Sequence, residues 1–271
     1  MLRNKNLKKI AKEIKKLVVK TAHQSKTSHI GPALSISDIL AVLYFRIMKL
    51  DPKRPEWPER DRFILSKGHA AVALYAVLAL RGFFPLSYLK SYCADGGMLH
   101  GHPCKEAAPG IEVSSGSLGH GLSIAAGMAL AAKHDGRKNQ IYVLVGDGEC
   151  NEGSLWEAVR FIGVNRLPNV VVIVDWNKFQ GFEVDNGFDL DDFGQQWRAF
   201  GWKVLNVPGH DVLELESKIK MAQKNNIPTV LIADTVSGKG LMVAENTLSA
   251  HYYLIPDKKT YRRIISNINE E

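Results

Sequence analysis

The chain has 271 residues, 45% of them hydrophobic and 23% charged, with a formal net charge of +7. That length holds one large α/β domain or two small ones, and the composition is that of a soluble globular protein rather than a disordered or collagenous one. Its longest apolar runs, "IYVLV" and "VVVIV", are too short to span a bilayer.

The basic N-terminus carries Leu7, Ile10, Ile14, Leu17 and Val18 at helical spacing between lysines, which predicts an amphipathic helix over 3–20 with a solvated basic face. It lacks the long apolar stretch and small-residue cleavage site of a signal peptide. No aromatic-interleaved basic surface or reader motif points to nucleic acid. A moderate positive field suits a phosphate-bearing cofactor or substrate instead. Cys93, Cys104 and Cys150 are widely spaced and odd in number, which favours a reducing, cytoplasmic setting over a disulfide framework.

A helix is predicted over 35–48, with Ser35 three residues ahead of Asp38 as a weak cap. A buried helix follows over 70–82, ending at Gly82. Residues 94–117 read as a loop rich in Gly, Pro and His, and 117–134 as a helix of small residues. From 141 the rhythm alternates. Strands are predicted at 141–145, 170–175, 202–207 and 229–234, and helices at 152–164, near 190–200 and near 211–225. A polar loop follows residue 175. Strands apolar on both faces, alternating with helices, predict a doubly wound, mostly parallel α/β sheet with helices on both faces. No composition break divides the chain, so 1–271 reads as one domain with a helical N-terminal extension.

The stretch "LVGDGECNEG" (144–153) ends the first of these strands and leads into a helix. Ligands of open parallel sheets bind at the carboxyl ends of strands, so Asp147 is a candidate ligand. Gly146 and Gly148 leave room for a close approach. Asn177 lies 30 residues on, about one strand–helix–strand unit, and a right-handed crossover brings both loops to one edge. A carboxylate and an amide oxygen are hard donors suited to Mg²⁺ or Ca²⁺, and Mg²⁺ so held usually carries phosphate oxygens as well. The helix starting near Glu152 offers its N-terminus to the same phosphate. A solvated Asp in a Gly-rich turn is the ordinary alternative. No G-x-G-x-x-G follows a strand, which disfavours a nicotinamide dinucleotide. His100, His102 and Cys104 alternate in "HGHPC" and raise zinc as a rival, with no fourth ligand nearby.

The turn and Asn177 together resemble the thiamine diphosphate signature. With "RDRFILSKGHAAVALY" (60–75), "GHPCKEAAPGIEVSSGSLGHGLSIAAGMALA" (101–131) and "GDGECNEGSLWEAV" (146–159), residues 7–255 resemble the N-terminal half of transketolase. The resemblance implies a diphosphate-binding domain that uses thiamine diphosphate and Mg²⁺, with Ca²⁺ or Mn²⁺ able to substitute. It implies metal ligation by Asp147, the Asn177 side chain and the Phe179 carbonyl, and diphosphate contacts from Gly148, His69 and His251. Gly116, Ser117 and Leu118 would lie along the thiamine. Glu152 would be a buried acid linking paired active sites. His29, His102 and His251 would bind sugar hydroxyls and manage protons, work that suits a side chain titrating near neutrality. Ser28-His29-Ile30-Gly31, His120 and Tyr252 depart from the family pattern on the substrate side.

The family's pyrimidine-binding and C-terminal domains find no counterpart in these residues. The resemblance therefore implies a split transketolase. This chain would pair with a separate C-terminal subunit, as α2β2, to move a two-carbon ketol unit from a ketose to an aldose, either as sugars or as sugar phosphates. It implies no nucleic-acid or membrane partner. Two alternatives stand beside it. One is the α subunit of a thiamine-dependent 2-oxoacid dehydrogenase or decarboxylase. The other is a non-catalytic cofactor-binding subunit.

Overall fold

The computed structural model describes residues 6–180, 183–184 and 189–271. Part of the polar loop predicted after residue 175, and residues 3–5 of the predicted N-terminal helix, lie outside them. Five parallel strands form the main sheet: β1 (Arg62–Leu65), β2 (Ile141–Gly146), β3 (Val170–Trp176), β6 (Lys203–Pro208) and β7 (Thr229–Asp234), in the order β1-β2-β3-β7-β6. Between β3 and β6, the short strands β4 (Phe179–Gln180) and β5 (Glu183–Val184) pair antiparallel. The helices are α1 (Leu7–Ser25), α2 (Ile30–Ser35), α3 (Ser37–Val42), α4 (Ala71–Arg81), α5 (His120–His134), α6 (Gly153–Val164), α7 (Leu190–Ala199), α8 (Val212–Ala222) and α9 (Lys258–Glu270).

The period-2 geometry of a strand sends alternate side chains to opposite faces. Tyr142, Leu144, Val171, Ile173 and Leu231 pack with α1–α4, α8 and α9. Val143, Val145, Val170, Val172, Val174 and Ile232 pack with α5, α6 and α7. All seven residues of β3 are buried. That is why the central strands read as unbroken apolar runs, each buried Val or Leu being worth roughly 1.5–3 kcal/mol. The predicted doubly wound parallel sheet is the observed one.

Four elements differ from the sequence reading. The helix expected over 35–48 is broken at Ile36 into α2 and α3, followed by a wide turn over Leu43–Ile47. Ser37 donates its hydroxyl to Ala33 O at 3.0 Å, and Ser35 Oγ lies equally close to Pro32 O. Such back-bonding competes with the helical ladder and bends it. The helix expected from 117 begins at His120, because Ser117 and Leu118 belong to the irregular strip before it. Strand β1 and helix α9 had no counterpart in the sequence reading. β1 is only four residues long, and α9 carries just two buried residues, Ile264 and Ile268.

Because all five strands run the same way, their carboxyl ends share one edge. The register pairs Gly146 with Asp175 and Asp175 with Ala233. Residues 66–69, 147–152, 177–180 and 235–237 therefore leave the sheet side by side.

Candidate active site

A cavity of about 470 Å³ opens at this edge. Its floor is the predicted turn. Asp147 is buried, and its carboxylate accepts the N–H groups of Gly148 (2.8 Å) and Lys178 (2.6 Å). Asn177, on the adjacent strand end, is also buried, and its Oδ1 accepts Phe179 N–H at 3.1 Å. Burial pushes the Asp147 carboxyl up to about 7, and the Asp175 carboxylate adds to the rise. A cation at this position would relieve both effects. A carboxylate, an amide oxygen and a peptide carbonyl are hard donors of the kind that suits a small divalent cation, and Asp147, Asn177 and Phe179 all line this cavity.

Asp175 closes β3 and is fully buried. It accepts hydrogen bonds from Lys67 Nζ, Thr235 Oγ1, Ser35 Oγ (2.8 Å) and Asn177 Nδ2 (2.9 Å). Burial alone would raise its pKa, but the adjacent Lys67 ammonium and these donors hold it below the usual carboxylate range. Asp175 thereby fixes the Asn177 amide with its oxygen turned away from the carboxylate. Glu149 serves the turn itself. It accepts from Ser66 Oγ and from the N–H groups of Gly119 (2.8 Å) and Gly146 (3.2 Å), tying the ends of β1 and β2 to the start of α5. Burial raises its pKa against those bonds.

The opposite wall carries the histidines. The rings of His29, His69 and His251 lie 5.1–5.5 Å apart, centroid to centroid. His29 N–H donates to His251 O at 3.0 Å, joining the two loops. A Cβ on Gly31 would sit 2.6 Å from Ala250 O, so only glycine lets these loops meet. Burial, reinforced by Lys67 and the neighbouring histidines, pushes His69 down to about 2. Burial and His29 push His251 down to about 4. His29 is lowered by burial and by His102. These three rings are neutral near pH 7, able to accept hydrogen bonds as well as donate them. His102 is exposed at the mouth, and its backbone carbonyl is held by Tyr75 OH at 3.0 Å. Its ring packs against Gly116, which has φ +149° and where any Cβ would meet that ring at 2.9 Å.

The cavity thus brings together His29, His69, His102, His251, Gly116, Leu118, Asp147, Gly148, Asn177 and Phe179. Ser117 and Glu152 are exposed and lie off its wall. In this single chain Glu152 is exposed, whereas Glu149, buried like Asp147, folds back onto the backbone N–H groups of residues 119 and 146. The zinc rival finds no support. His100 and His102 are exposed, and Cys104 Sγ donates to Glu106 at 3.4 Å. Sequence reasoning missed Lys67, Glu149, Asp175 and Ser237 as parts of the site. The available signal was a charge inside or closing an apolar run: Lys67 after "RFILS" and Asp175 after "VVVIV".

The fold and this site define an α/β diphosphate-binding domain. Residues 6–260 match the family model for the transketolase thiamine diphosphate-binding domain, and the chain belongs to that family. It is 42% identical over 244 residues to a 6-deoxy-6-sulfo-D-fructose transketolase subunit of Clostridium sp. (strain MSTE9), covering 89% of this chain and 88% of that one. It is also 42% identical over 249 residues to one of the subunits of the apulose-4-phosphate transketolase of Actinobacillus succinogenes, covering 91% and 90% of the two chains. The crystal structure of Campylobacter jejuni transketolase superposes with a TM-score of 0.91 at 30% identity, over 97% of this chain and 42% of that one.

Proposed function

We propose that this chain is the cofactor-binding subunit of a two-subunit transketolase, moving a two-carbon ketol unit from a ketose to an aldose. The observation that carries the reading is the placement of Asp147 and Asn177 on adjacent strand ends, in one cavity with three half-buried neutral histidines. Two relatives of nearly the same length are named transketolase subunits, which supports a division of labour with a second chain. That chain would be a C-terminal subunit bearing the pyrimidine-binding domain, in an α2β2 assembly, and the exposed Glu152 would face it.

The residues present fit the family cofactor. Asp147, the Asn177 side chain and the Phe179 carbonyl would hold Mg²⁺. Gly148, His69 and His251 would hold the diphosphate, and Gly116, Ser117 and Leu118 the thiamine. Thiamine diphosphate, when bound, supplies the nucleophilic carbon and the electron sink that carbon–carbon cleavage needs. The chain supplies position and proton handling. His69, held neutral by burial, would donate a hydrogen bond to the diphosphate. His251 and His29 hydrogen-bond the hydroxyls beside the bond that breaks. His102, exposed at the mouth, would bind the sugar hydroxyls farther out. Each acts as donor or acceptor within hydrogen-bond reach of an alkoxide.

The test is coexpression with a separate C-terminal transketolase subunit, followed by a ketol-transfer assay with thiamine diphosphate and Mg²⁺. Activity is expected only with both chains and both additives. Full activity of this chain alone would overturn the two-subunit reading. Failure of the assembled pair on every ketose tried would overturn ketol transfer.

A further inference from the structure

A second cavity, of about 550 Å³, lies outside the first and shares three side chains with it: His29, His102 and Tyr252. These three stand where the two spaces adjoin. The Tyr252 ring stands 5.3 Å from the His29 ring and 4.5 Å from the His251 ring, centroid to centroid. It therefore flanks the histidines on the side of the outer space, while 46% of the residue remains exposed. Lys26, Thr27 and Cys93 line the outer space. Among the described residues no carboxylate lines it, so a chain of hydroxyls with or without a terminal anion can enter.

We propose that Tyr252 is a specificity-determining residue, a lateral wall that selects sugars by their width beside the reacting carbons. The inference rests on the ketol-transfer reading above. A sugar whose carbonyl carbon lies beside His29 and His251 and whose tail extends toward the outer space runs alongside the phenol ring. Length is accommodated by the outer cavity. A branch near the reacting bond meets the ring. Straight-chain substrates pass and branched isomers are refused.

Two measurements decide this. The first uses the full chain and no sugar. His29 and His251 are carbethoxylated with diethyl pyrocarbonate and followed by peptide mass spectrometry in wild type, Tyr252→Phe and Tyr252→Ala. Y252A is expected to label both histidines several-fold faster, with Y252F close to wild type. Equal rates in all three would overturn the wall. The second uses the assembled pair and compares kcat/KM for a straight-chain aldose acceptor with its hydroxymethyl-branched isomer. Wild type and Y252F are expected to prefer the straight chain, and Y252A to narrow that ratio about 10-fold, the scale on which a pocket senses one carbon. An unchanged ratio in an active Y252A enzyme would overturn the proposal. Should Y252A fail to fold, Tyr252→Leu must move both readouts in the same direction. If wild type transfers no ketol unit to either acceptor, the ketol-transfer reading fails, while the labelling still decides the wall.

Discussion

The Lys67 ammonium donates to Asp175 beneath the cavity, with the two side chains only 2% and 0% exposed. The same carboxylate oxygen accepts from Asn177 Nδ2. One buried ion pair therefore orients a candidate metal ligand that neither partner touches through the backbone. Such pairs are weak stabilisers overall, yet costly to break from one side. Lys67→Met should leave Asp175 uncompensated and lower unfolding stability by about 3–5 kcal/mol. In the double variant Lys67→Met, Asp175→Leu, part of that loss should return, because no buried charge is stranded. Asn177 would lose its anchor only in the double variant, where Asp175 is gone, so cofactor affinity should stay impaired there even where stability recovers. Urea unfolding and calorimetric titration with thiamine diphosphate and Mg²⁺ separate the two effects.

Asp147 presents a different balance. Its carboxylate is buried beside another carboxylate and is pushed up to about 7, so without a cation it is held at a cost. Asp147→Ala should abolish metal-dependent binding of thiamine diphosphate. The affinity loss should exceed the roughly 10–100-fold that changes behind a ligand produce. The apo chain should lose little stability, since the repulsion with Asp175 goes as well. Unchanged affinity in a Mg²⁺ titration would refute the assignment.

The histidine wall makes stability depend on pH in a defined direction. His69 and His251 are pushed down to about 2 and about 4 from an ordinary value of 6.5. Between 6.5 and those values the unfolded chain binds protons that the folded chain does not. Stability is therefore full above pH 6.5 and falls as the pH drops, down to about 4 for His251 and further for His69. Each contributes a slope of up to about 1.4 kcal/mol per pH unit, less for the partly exposed His251. The raised Asp147 carboxyl works in the opposite sense over the same range, so the histidine contribution is read from the difference between variants. From pH 7.5 to 5 the melting temperature of His69→Asn should drop by less than that of wild type, because one of the two lowered groups is gone.

Much of this site is legible in the sequence alone. Asp147 and Asn177 stand out because a 30-residue spacing and a right-handed crossover bring neighbouring strand ends together, and the register of β2 with β3 does so. The histidines come from motif context, since no spacing predicts that residues 29, 69 and 251 meet. That meeting depends on Gly31 admitting Ala250. Lys67 and Asp175 escape for a physical reason. Each looks like the polar end of an apolar strand, and only the fold reveals that the two charges are buried against each other. Strand β1 escapes because four residues carry no measurable period, and α9 because its buried face is only two residues wide.

His210 supports the last expectation. Its Nε2 accepts Val236 N–H at 2.9 Å, so the ring proton sits on Nδ1, which lies 2.9 Å from Asp38 Oδ2. Lys15 sits 3.6 Å from the same carboxylate oxygen and 2.7 Å from Glu271. The imidazole is thus a fixed strut between α3 and the loop that begins at Thr235, and the next residue after Val236, Ser237, lines the cavity. Removing the acceptor leaves a backbone N–H without its partner, a loss of about 1–3 kcal/mol if the group stays buried. The loop would escape that cost by moving, and Ser237 would move with it. His210→Leu should therefore raise amide hydrogen exchange at 235–241 and weaken thiamine diphosphate binding, with little change in the exchange of β2 and β3. His210→Gln, whose amide oxygen can accept the same N–H, should restore protection at Val236. If the leucine variant left exchange at Val236 unaltered, the strut would have no role in holding the loop.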